Sequence, residues 1–149
     1  MKKSIAILVM LTFAQTAWAG AWGTEAFEND DAVDWLSACV KNPNGNSLSD
    51  AFDAALDSEL VDIDIGSVAI AAAEVVAAQQ GNPGRNLPSD VRICSERQAK
   101  GVSLVATARK VVEKVRNPKH SELAAEWAQN NLERWQSSMD DLARRLAVR

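Results

Sequence analysis

The 149-residue chain has one histidine, no tyrosine, two cysteines and three phenylalanines. With His120 alone, a histidine-rich metal centre or a paired-imidazole relay cannot be built within one chain. The HExxH, GxSxG and phosphate-loop patterns are absent, which removes the zinc-protease, serine-hydrolase and nucleotide-cradle readings. Asp62, Asp64, Gly66 and Glu74 resemble a calcium loop at first sight. The glycine falls one position early and the glutamate one late, so the ligands would not converge. Strand-forming aromatics are scarce, and no stretch alternates apolar with polar residues as a half-buried strand does. These absences leave no catalytic set, no cofactor site and no metal site to expect, and the chain reads as a non-enzyme.

What is present begins with an export pattern. Lys2 and Lys3 precede an apolar stretch, Ile5 to Ala14, and Ala17-Trp18-Ala19 offers a small-x-small cleavage site before Gly20. The apolar stretch is too short to span a bilayer. No cysteine follows the cleavage site to carry a lipid. The expected organisation is a signal peptide over residues 1–19 and one helical domain over 20–149, periplasmic or secreted and not inserted in a membrane once mature. Cleavage would change the balance of 16 basic and 20 acidic residues to 14 and 20, a side-chain charge of −6. That sign disfavours phosphate backbones, so nucleic acid is not an expected partner. Two cysteines in an exported chain, Cys39 and Cys94, either pair or remain as two buried thiols.

Alanine is abundant, and the apolar positions recur at helical spacing. The first helix is expected over about Asp30 to Val40, capped by Asn29 or Asp30, with Ala32, Trp35, Leu36 and Cys39 on one face. A second is capped by Ser47 or Ser49 and turns Leu48, Phe52, Ala55 and Leu56 inward. Val61 to Asp64 reads as a link. The third helix, about Ile65 to Gln80, is nearly all alanine and valine, closes at Gly81, and should lie centrally. Ser89 starts a short fourth helix. The fifth, Val102 to Arg116, sets Leu104, Val105, Ala108, Val111, Val112 and Val115 on one side. Ser121 caps a sixth, and Leu132, Trp135, Met139, Leu142 and Leu146 define the last. The fold class is all-α, a single compact domain of six or seven short helices.

The chain's least ordinary stretch runs from Gly20 to Leu36. It holds Trp22, Phe27 and Trp35 together with Glu25, Glu28, Asp30, Asp31 and Asp34. Gly20-Ala-Trp-Gly-Thr24, then Phe27-Glu-Asn-Asp-Asp-Ala32 and Asp34-Trp-Leu36, resembles the opening of the bacterial domain-of-unknown-function family 4259. Ala71-Ala-Ala-Glu-Val-Val-Ala-Ala78 is similar to that family's central helix. Members of the family commonly begin with the glycine block directly after the initiator methionine, whereas here an export pattern precedes it. The resemblance implies a small helical domain and supplies no catalytic residue.

Glu74 is the only charge between Asp64 and Arg85. On the central helix it either faces solvent or is buried and needs a partner. The expected partner of a buried Glu74 is the α-amine of Gly20, which cleavage after Ala19 would expose, or the indole N–H of Trp22. Acids at a helix start satisfy free amides and the dipole, so the carboxylate cluster is first of all structural. Trp22 and Phe27 are expected to pin the arm and Trp35 to pack in the core. An exposed Trp22 beside those acids would instead be a hot spot for a basic partner. The candidate surface is therefore Gly20, Trp22, Phe27, Glu28, Asp30, Asp31, Trp35 and Glu74. The expected function is to bind or inhibit a basic envelope or toxin protein. The competing reading is a structural or stress-related envelope protein with no dedicated partner.

Overall fold

The computed structural model describes residues 23–43, 45–130 and 132–147. The export pattern, its cleavage point at Ala19 and Gly20, and Trp22 lie outside the described residues. Among the described residues seven helices follow in order: α1 Asp30–Lys41, α2 Ser47–Asp57, α3 Ile63–Gln79, α4 Ser89–Arg97, α5 Val102–Val115, α6 Glu122–Gln129 and α7 Leu132–Ala147. No strand is formed among the described residues, only one isolated parallel bridge between Val61 and Ser121. None of these helices is long and apolar enough to cross a membrane.

α3 touches all six other helices. Its composition explains the position: apart from Asp64 and Glu74 it offers no charge, and from Ala69 to Ala77 every residue is buried. The small alanine side chains let neighbouring helices approach from several directions. Phe52 of α2, Val111, Val112 and Val115 of α5, and Met139, Leu142 and Leu146 of α7 close the core around it. Trp135 is buried and stacks on Trp127 with ring centroids 6.4 Å apart. Each fully buried valine or leucine contributes about 1.5–3 kcal/mol relative to exposure.

The ends of the helices are held by specific groups. Asn29 caps α1, its Oδ1 accepting from the Ala32 amide at 3.2 Å, and it is itself buried. Replacing Asn29 with alanine leaves that amide without its partner and is expected to cost about 1 kcal/mol. A urea midpoint shifted by that amount, with an unchanged slope, is the check. Ser121 caps α6 through the Ala124 amide, as expected. At α2 the expectation of a serine cap is corrected. Asn46 occupies the cap position without a side-chain bond, and Ser49 Oγ donates back to the Asn46 carbonyl. The C-terminal carbonyls of α2 are reached instead by Lys114, whose Nζ donates to Leu56 and Ser58.

The link before α3 is shorter than expected, because the helix begins at Ile63. Val61 donates to the His120 carbonyl and accepts from the Glu122 amide, both at 2.9 Å. That pairing holds the chain extended through Asp62, after which the helix can start. Gly81 ends α3 with φ of +81°, a conformation glycine adopts without strain. The Gly81 and Asn82 amides bond back to Ala78 and Ala77. Cys39 and Cys94 form a disulfide between α1 and α4, with Cα atoms 5.7 Å apart and both residues fully buried. Beside it, Arg97 donates to the Val40 carbonyl and Gln98 to that of Asn42, which fastens the end of α4 to the end of α1.

Candidate functional site

A carboxylate on an alanine-rich helix packed against six others is largely shielded from water, so it is expected to be neutral or paired. Glu74 is buried, at 7% exposure, and it is paired. Arg145 of α7 meets it with both terminal nitrogens, Nη1 to Oε2 at 2.7 Å and Nη2 to Oε1 at 2.6 Å. This fork-on-fork geometry is the strongest form of the contact, because both carboxylate oxygens accept a charge-assisted bond. Arg145 Nε donates to Asp141 one turn earlier, at 2.7 Å. Burial pulls the guanidinium pKa down, but the hydrogen bond and charge of Glu74, followed by those of Asp141, outweigh it and leave the pKa raised.

The turn at Gly81 completes the arrangement. It places Asn82 so that Nδ2 donates to the Arg145 carbonyl at 3.2 Å, while the Asn82 carbonyl lies 3.4 Å from Nη1. Gly84 then passes directly over the pair. A Cβ built there would stand 3.1 Å from Glu74 Oε2 and 3.3 Å from both Arg145 terminal nitrogens, so a side chain at this position would press on the charged ends of the pair.

This pair forms part of the floor of a cleft of about 800 Å³. One wall is the arm from Glu25 to Glu28, the second is the loop from Gly84 to Pro88, and the third is the polar face of α7 with Arg134, Ser137, Ser138, Asp141 and Arg144. The arm is held to α7 by Ser138 Oγ, which lies 3.4 Å from Glu25 Oε1 and equally far from the Arg134 carbonyl. Within the arm, the Glu28 carboxylate folds back to accept from the Glu25 amide at 3.0 Å. Thr24 is buried, and Phe27 is half-buried against the core at the edge of the cleft.

The structure brings together only part of the surface expected from sequence. Phe27, Glu28 and Glu74 share the cleft. Asp30 and Asp31 are exposed on the first turn of α1, outside the cleft, and Asp34 is exposed one turn on. Trp35 is half-buried against the core. Gly20 and Trp22, the partners expected for a buried Glu74, lie outside the described residues; the partner found is Arg145. No three of the described His, Cys, Asp or Glu side chains converge as a metal site would require. His120 is exposed, and its backbone carbonyl serves the bridge to Val61.

Arg145 was legible only indirectly. It adjoins Leu146 on the flank of the apolar face of α7, where a long cation can reach inward while its stem covers apolar surface. A lone buried acid requires such a cation, but the partners expected from sequence were the Gly20 α-amine and the Trp22 indole, and Arg145 was not among them.

No curated protein and no solved structure matches the chain. Residues 20–138 match the family described as Domain of unknown function (DUF4259). That span takes in the arm, the Glu74 helix and the first part of α7, and the chain belongs to this family.

Proposed function

We propose that the protein is an exported, non-enzymatic binding domain of the inhibitor or immunity type, whose partner is a basic envelope or toxin protein. The observation that carries this reading is the outer face at the start of α1. Asp30, Asp31 and Asp34 are all exposed there, and none forms an ion pair among the described residues. Val33, 43% exposed, stands beside them as one of two large apolar side chains in the open among the described residues. An apolar contact ringed by unneutralised carboxylates suits a cationic surface, because the charges steer the encounter and desolvating the valine holds it. Export is supported by the leader pattern and by the Cys39–Cys94 bridge, which belongs in an oxidising compartment.

The test is capture from cell-envelope extract with the protein produced from its own N-terminus and tagged at the C-terminus. Its intact mass should place the first residue at Gly20. One stoichiometric basic partner is expected, with affinity falling as salt rises. The double reversal Asp31→Lys with Asp34→Lys should slow association about tenfold, with only a small loss of thermal stability from placing a cation in the first turn of α1. Absence of a saturable partner at low salt would favour the structural envelope role. A partner indifferent to the reversal would move the interface off this face.

A further inference from the structure

We infer that the cleft is a binding site for a small oxyanion-bearing ligand, a carboxylate or phosphate, gripped by Arg85 and Arg134. This goes beyond the docking face, which lies on the acidic outer side of α1. Four of the described arginines line the cleft, and no described lysine does. On a chain with an acidic excess this is a local concentration of the one cation whose planar fork matches an oxyanion.

The hydrogen-bonding inventory shows which capacity remains. Each of the four carboxylates facing the cleft already accepts a bond from the protein. Glu74 is taken by Arg145, Asp141 by Arg144 and Arg145, Glu28 by the Glu25 amide, and Glu25 by Ser138. Two of the arginines, 144 and 145, are spent on those acids. Arg85 and Arg134 are exposed and make neither ion pair nor side-chain hydrogen bond among the described residues. The uncommitted cations in the cleft are thus Arg85 and Arg134, with Ser137 and Asn86, which can both donate and accept, beside them.

Arg85 follows Gly84, which lies close over the floor, and precedes Asn86 in a left-handed conformation, φ 57°. Arg134 stands on the first turn of α7, whose other end is locked by Arg145. A cleft of about 800 Å³ falls in the range of small-ligand sites, roughly 300–1,000 Å³.

The experiment is an NMR titration of the purified full-length product with inorganic phosphate and, separately, with succinate at low ionic strength, following backbone amides and arginine Nε–H groups. Saturable shifts confined to residues 84–88, the arm and the exposed face of α7 are expected with at least one anion, and which one binds assigns the class. Arg85→Ala with Arg134→Ala should weaken binding about tenfold or more. Arg109→Ala, on the outer face of α5, should leave it unchanged. The double alanine variant must keep the unfolding temperature of the parent, as both side chains are exposed. Shifts that never saturate, that scatter over all exposed cations, or that persist in the double variant would overturn the site. None of these outcomes depends on whether a basic protein docks on α1.

Discussion

Replacing Arg145 with alanine is expected to destabilise the fold by about 3–5 kcal/mol, measured as the loss of unfolding free energy in urea. The size follows from what is left behind. Glu74 remains on a helix enclosed by its six neighbours, with both oxygens stripped of their charge-assisted bonds. A buried carboxylate without a partner carries its full desolvation cost. The Arg145 side chain is 16% exposed and that of Glu74 9%, so solvent screens the pair weakly. A loss under about 1 kcal/mol would place the contact among ordinary surface bridges and contradict the burial.

A partner variant separates the cost of breaking the pair from the value of having it. Glu74→Met combined with Arg145→Met removes both charges while keeping long apolar side chains in the space. Most of the stability should return, because apolar replacement of a buried pair is often neutral or better. The raised pKa of Arg145 means its contribution is present at every pH below its ordinary range and fades only as pH rises past the folded value. The arginine side of the pair therefore adds no pH dependence near neutrality. If the pair is not needed for stability, its place at the floor of the cleft, where it sets the positions of Gly84 and α7, becomes the better account of it.

The architecture was legible where local chemistry and tertiary need agree. Six or seven helices are announced by apolar spacing and by caps such as Asn29, Ser121 and Gly81, whose side chains or conformations act within a turn or so of their own position. The central place of α3 was legible because a helix without a polar face has no other stable location. The start of α3 was not. Val61 is held by backbone bonds to His120 and Glu122, and no residue near Ile63 records that distant pairing. The cap of α2 misled for a different reason: Asn46, just ahead of Ser47, takes the cap position, and Ser49 Oγ turns back to the Asn46 carbonyl.

The site was less legible than the fold. Burial of Glu74 follows from its helix, but its partner sits on α7 and becomes visible only once packing is known. The cleft unites arginines from a loop and from the last helix, and nothing in the spacing of Arg85 and Arg134 foretells their common wall. The acidic cluster shows the reverse. Its residues are close in sequence, yet the arm turns Glu25 and Glu28 towards the cleft while α1 carries Asp30, Asp31 and Asp34 away. Proximity along the chain overstated what the cluster could do together.

Loss of the Cys39–Cys94 bridge is expected to cost about 4 kcal/mol, because the bond closes a loop across 55 positions and restricts the unfolded chain. The folded structure should survive the loss. Arg97 and Gln98 still tie α4 to the end of α1, and both cysteines lie within a core built by other residues. The pair Cys39→Ala with Cys94→Ala tests this together with the reduced parent protein. If the effect acts through the unfolded chain, both should lose similar stability, and the urea slope should rise because the opened chain exposes more surface. If packing dominates, the alanine pair should lose more than the reduced protein, which keeps its sulfur atoms in place. The same comparison bears on compartment. A protein that needs the bond should accumulate poorly when its first 19 residues are removed and it stays among cytosolic reductants, yet fold normally when exported. Oxidised and reduced forms that unfold at the same urea concentration would show the bond to be dispensable, and would withdraw the disulfide as support for export.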